Sequence, residues 1–92
     1  MPSISGYLYV IFGERFDLPY KECIKSIMPV CDQIVVATDS LLANDGTLDE
    51  LQKIGVDLVL VDADLDNPNI DGWFKAQARK ACKCEWCLSM DA

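Results

Sequence analysis

The polar residues of this chain with chemical potential gather just after its apolar runs. Gly13-Glu-Arg15 follows Tyr7-Leu-Tyr-Val-Ile-Phe12, and Thr38, Asp39 and Ser40 follow Ile34-Val-Val-Ala37. Asp62 and Asp64 follow Leu58-Val-Leu-Val61, and Asp91 follows Trp86-Cys-Leu-Ser-Met90. The segment Gly13-Glu-Arg-Phe-Asp17 is neither G-x-G-x-x-G nor a P-loop, so dinucleotide dehydrogenase and Walker ATPase chemistry is not indicated. Cys82-Lys-Cys-Glu-Trp-Cys87 has the look of a metal knuckle. A tetrahedral site needs a fourth ligand, which Cys23 or Cys31 would have to bring from another helix face. Small, mostly buried apolar thiols are the simpler expectation. Asp45-Gly-Thr47 alone is a turn and a helix cap, and Asp91 alone is a carboxylate at a strand end. There is no histidine, which excludes serine–histidine and cysteine–histidine nucleophiles and His-ligated zinc.

The composition narrows the classes further. A chain of 92 residues, 51% apolar and 25% charged, makes one small globular domain. A formal net charge of −7 disfavours nucleic acid or an anionic membrane held through a broad basic surface. A single nucleotide needs only a local pocket and remains allowed. No apolar run approaches the ~20 residues of a membrane span, and no basic region precedes the first apolar stretch as in a signal peptide. A cytoplasmic chain is therefore expected, and its five cysteines, an odd number, read as reduced thiols.

Strand-like and helix-like segments alternate along the whole chain. Tyr7–Phe12 predicts a first strand. From Leu18 to Met28 the period changes, with Tyr20, Cys23, Ile24, Ile27 and Met28 at helical spacing, Asp17 placed to cap and Pro19 in the first turn. Ile34–Ala37 predicts a second strand. Thr47-Leu-Asp-Glu50 has capping-box spacing, Leu48, Leu51 and Ile54 share a face, and Gly55 stands where a C-terminal cap belongs. A third strand is expected over Leu58–Val61, a third helix from about Gly72 to Lys83, and a fourth strand over Trp86–Met90. Strands without polar alternation are covered on both faces, the habit of parallel sheets flanked by helices. Right-handed crossovers then give a doubly wound α/β layer. Ligands of such sheets bind beyond the carboxyl ends of the strands, where the winding reverses. That rule selects the loops beginning at Gly13, Thr38, Asp62 and Asp91.

Taken in order, these segments resemble the N-terminal region of family 2 glycosyltransferases. The matching residues are Asp17-Leu-Pro-Tyr-Lys-Glu22, Ile24-Lys-Ser-Ile27 with Pro29, and Asp32-Gln-Ile-Val-Val36. They continue with Asp45-Gly-Thr47, Ala76-Gln-Ala-Arg79 and Trp86-Cys-Leu-Ser-Met-Asp-Ala92. The resemblance covers essentially residues 1–92 and rests on the order of six short motifs. It implies a partial GT-A, Rossmann-like fold: three layers, with four parallel strands in the order 3-2-1-4.

The resemblance also implies a function, transfer of a sugar from a nucleotide-diphosphate donor to an acceptor hydroxyl. Negative charge develops on the departing diphosphate, so a cation held by carboxylates is the expected stabiliser, with Mg2+ or Mn2+ suited to oxygen ligands. Asp91 would be the first acid of the D-x-D motif, at the metal or the ribose. Arg79 would face the base or diphosphate, and the loop carrying Gly13 and Arg15 would pass beside the nucleoside. Where many members end the second strand in paired aspartates, this chain has Ala37-Thr-Asp39, making Asp39 a displaced candidate for reading the base. The second acid of the motif would fall just after Ala92. The chain thus reads as a truncated donor-binding part, inactive alone, whose fourth strand exposes an edge open to a second copy. The alternative is a response-regulator receiver, resembled by Asp57-Leu-Val-Leu-Val-Asp62 with Asp62 as phosphoacceptor. Its strand order would be 2-1-3-4.

Overall fold

A computed structural model describes residues 3–11, 13–15, 17–39, 46–62, 64 and 66–90. Among these residues the chain forms β1 (Ile4–Tyr9), α1 (Tyr20–Ile27), β2 (Gln33–Thr38) and α2 (Thr47–Ile54). It continues through β3 (Asp57–Leu60), α3 (Ile70–Lys80) and β4 (Trp86–Ser89). The strands make one sheet in the order β3-β2-β1-β4. All three pairings are parallel, with Tyr7 opposite Val35, Gly6 opposite Leu88 and Ala37 opposite Val59. This is a three-layer, Rossmann-like α/β fold with the strand order expected from the sequence. Because β3 pairs with β2 and not with β1, the receiver topology is excluded.

Alternation along the two central strands divides their side chains between two cores. Leu8, Val10 and Val36 face α1 and α2, where they pack with Tyr20, Ile24 and Leu51. Val35 and Ala37 face the other way, onto Phe74 and Ala78 of α3, with Tyr7 and Tyr9 beside them. Tyr20, Ile24 and Ile27 form the buried stripe of α1 at helical spacing, each contributing about 2 kcal/mol through burial. Tyr9 stacks on Phe74 at 5.2 Å between ring centroids, and Trp73 meets Phe74 edge-on.

Several local expectations are revised. Asp17 does not cap α1; it takes a left-handed backbone conformation (φ 51°), and Pro19 stands at the N-cap. Thr47 is not a cap either, because Gly46 (φ 108°) takes that place and the Thr47 hydroxyl serves the β1–α1 loop instead. Gly55 does cap α2, at φ 90°. Helix α3 begins earlier and ends earlier than the sequence indicated, leaving Cys82 and Lys83 outside it. Strand β1 spans Ile4–Tyr9, not Tyr7–Phe12, and takes in the buried Ser5, which donates to Gln33 Oε1 at 2.6 Å; an apolar-run criterion passes over such a residue. The edge strands are not covered on both faces: Leu60 of β3 is exposed, and every residue of β4 is. The thiols are not core residues either, since four are half-buried and Cys87 is exposed.

Candidate functional site

The chain winds from β1 through β2 to β3 with α1 and α2 on one face, then crosses back over the other face through α3 to reach β4. The winding therefore reverses between β1 and β4, and the crevice beyond their carboxyl ends is where ligands of open α/β sheets bind. The loop leaving β1 is one wall. Gly13 is buried in it, and a Cβ there would lie 2.6 Å from the Tyr20 ring. The glycine is required by that close approach.

Glu14 is the hub of this loop. Its Oε1 accepts a hydrogen bond from the Tyr20 hydroxyl at 2.6 Å and an ion pair from Lys21 Nζ at 3.2 Å. Its backbone N–H donates to Thr47 Oγ1 at 3.0 Å. The hydrogen bond that Lys21 donates to Glu14 holds its ammonium pKa above the usual 10.5. A hollow of about 280 Å³ beside the hub is lined by Gly13, Glu14, Asp17, Leu18, Pro19, Lys21 and Glu22. Its charges are mainly acidic, so a diphosphate there would depend on Arg15 or a bound cation for neutralisation. Arg15 is exposed on the same loop.

At the end of β2 the Thr38 hydroxyl donates to the Val10 carbonyl at 2.6 Å, and the Thr38 carbonyl accepts from Val61 N–H. Asp39 comes next and is only 5% exposed. On the opposite face the Tyr9 hydroxyl donates to Asp71 at the start of α3. The structure thus brings Gly13, Arg15 and Asp39 to one end of the sheet. It does not bring Arg79 there. Helix α3 runs antiparallel to the strands, and just beyond its end the Ala81 carbonyl accepts from Gln33 at the start of β2. Arg79, in the last turn, lies toward the amino ends of the strands, and the 11-residue helix is ~16 Å long. Asp91 and Asp45 fall outside the described residues. Among the described residues no group of three or more acidic or thiol side chains could hold a metal ion.

No family model, curated protein or solved structure matches this chain. The fold itself supplies the general statement: a Rossmann-like layer whose switch-point crevice is compatible with a nucleotide or similar ligand. No helix among the described residues is long and apolar enough to cross a membrane. Two further hollows lie elsewhere. One, of about 230 Å³, sits between the starts of β2 and β3 against Cys31, Gln33, Gly55 and Asp57. The other, of about 270 Å³, is an apolar shelf on Ile4, Trp86, Cys87 and Leu88. The Glu14–Tyr20–Lys21 hub was not singled out in the sequence. Tyr20 and Lys21 lie in α1 while Glu14 lies in the loop before it, so no single element's periodicity links the three.

Proposed function

We propose that this chain is the donor-binding part of a family 2-type glycosyltransferase domain, holding a nucleotide-diphosphate sugar in the crevice between β1 and β4. One observation carries the reading: the reversal of winding between two adjacent parallel strands, β1 and β4, in the order β3-β2-β1-β4. The six ordered sequence motifs support the choice of family among the many that share such a sheet. In this reading the Gly13–Arg15 loop passes along the nucleoside, with Arg15 answering phosphate charge. Asp39, nearly buried at the end of β2, offers a carboxylate to the donor edge of the base. Asp91 is the acid proposed for the ribose or for Mg2+ or Mn2+. The described residues do not themselves assemble a cation site.

Calorimetry with uridine diphosphate tests the reading directly. In the full-length parent, binding is expected to tighten when Mn2+ is added, and Asp91→Ala is expected to remove most of that gain. Asp39→Asn should weaken uridine diphosphate more than guanosine diphosphate. Absence of binding to any nucleoside diphosphate, or metal-independent binding untouched by Asp91→Ala, would overturn the assignment.

A further inference from the structure

The turn from α3 into β4 carries Cys82 and Cys84, and β4 itself carries Cys87, so three of the five cysteines cluster at this corner. In the β1–β4 register Cys87 stands opposite Ser5, and opposed residues of neighbouring strands share a face of the sheet. Tyr7, two residues beyond Ser5, packs in the α3 core, so Cys87 lies on the α3 side. Cys82, just past the end of α3, packs against that same core. Its thiol donates to the Ala78 carbonyl at 3.8 Å, and after burial the neighbouring Cys87 thiol is the next cause that raises its pKa.

The backbone between the two thiols is pinned by groups that belong to neither. Lys83 N–H donates to Gln33 Oε1 at 2.9 Å, and Cys84 N–H to Ser5 Oγ at 3.2 Å. Glu85 N–H donates to Ser3 Oγ and Trp86 N–H to the Ser3 carbonyl, both at 3.1 Å. Four consecutive amides are thus anchored to β1, β2 and the residue before β1, closing the turn before any covalent bond forms. Cys31 is no competitor for either thiol. Its sulfur approaches Gly6 beside Ile27, on the α1 side of the sheet.

We propose that Cys82 and Cys87 are a thiol-modification site, closing to an intramolecular disulfide by exchange with a small-molecule disulfide of the glutathione type. Cys87 is exposed and reacts first. Its thiolate attacks one sulfur of the oxidant, forming a mixed disulfide and expelling one glutathione thiolate, which takes up a proton. The Cys82 thiolate then attacks the Cys87 sulfur and expels the second glutathione. The two protein thiols lose two electrons and two protons in all, and one oxidised glutathione becomes two reduced ones. Cys84, between them, has its amide turned into the Ser5 anchor.

The test is incubation of the 92-residue chain with oxidised glutathione, followed by alkylation and peptide mapping by mass spectrometry. Wild type is expected to lose two hydrogens, to show the Cys82–Cys87 cross-link, and to regain all alkylatable thiols in dithiothreitol. Cys82→Ser should stop at a glutathione adduct on Cys87. Cys87→Ser should form no cross-link, and Cys84→Ser should close as wild type does. A stable glutathione adduct on wild-type Cys87 with no ring closure, or a cross-link through Cys84 at equal yield, would overturn the proposal. Mapping on wild type alone already decides the pairing, so the result does not depend on every variant folding.

Discussion

The backbone N–H of Glu14 donates to the hydroxyl of Thr47 at 3.0 Å, so the loop after β1 hangs from the first residue of α2. Two segments 33 residues apart, both bordering the carboxyl end of the sheet, are joined by a side chain that is itself fully buried. Thr47→Val keeps the shape and removes the acceptor, leaving the Glu14 amide unpaired. The expected loss is about 1–2 kcal/mol in urea denaturation, with faster hydrogen exchange at the Glu14 amide. An unchanged midpoint and an unchanged exchange rate would show that water replaces the hydroxyl without cost.

Gly13→Ala places a methyl 2.6 Å from the Tyr20 ring and 3.0 Å from Val10. Tyr20 is fully buried and tied to Glu14, so it cannot swing aside without breaking that bond. Destabilisation of about 1–3 kcal/mol is expected. Calorimetric unfolding of the two proteins side by side measures it.

Stability is expected to fall on the alkaline side. Burial, with the Cys87 thiol beside it, pushes Cys82 up to about 11, and burial also raises Cys31 from its usual 9.0. Between these limits the folded chain keeps protons that the unfolded chain releases. Stability therefore declines as pH rises above about 9 and through about 11. Cys82→Ala should flatten this decline in chemical denaturation repeated across that range; an equally steep decline in the variant would assign it to other groups.

Among the described residues no strand pairs with the outer edge of β4, where Trp86 is 63% and Leu88 40% exposed. Such an edge templates strand addition. Concentration-dependent self-association is expected in sedimentation velocity, and Leu88→Lys should shift the distribution toward monomer. A wild-type chain that stays monomeric at the highest attainable concentration would remove the edge from consideration.

The sequence revealed the sheet better than the loops, for physical reasons. Val35, Val36 and Ala37 are apolar because both faces of β2 are covered, and that requirement is written in consecutive residues. The strand order followed from the resemblance, and Gly55 declared the end of α2 through a conformation few other residues tolerate. Thr47 looked like a cap because a threonine before a helical stripe usually is one. Its hydroxyl instead satisfies Glu14, a partner no local pattern could name. Arg79 shows the complementary difficulty. Helical spacing gave its helix, but tertiary bonds such as those of Gln33 to Ala81 and Lys83 show which end of the sheet that turn occupies.

The most direct measurement of the central claim is amide chemical-shift mapping of the labelled chain titrated with uridine diphosphate and Mg2+. Shifts concentrated at Gly13, Glu14, Arg15, Asp39 and Met90 are the predicted result, because these residues border the carboxyl ends of β1, β2 and β4. Shifts concentrated instead at Cys31, Gln33, Gly55 and Asp57, in the hollow at the opposite end of the sheet, would contradict a switch-point site.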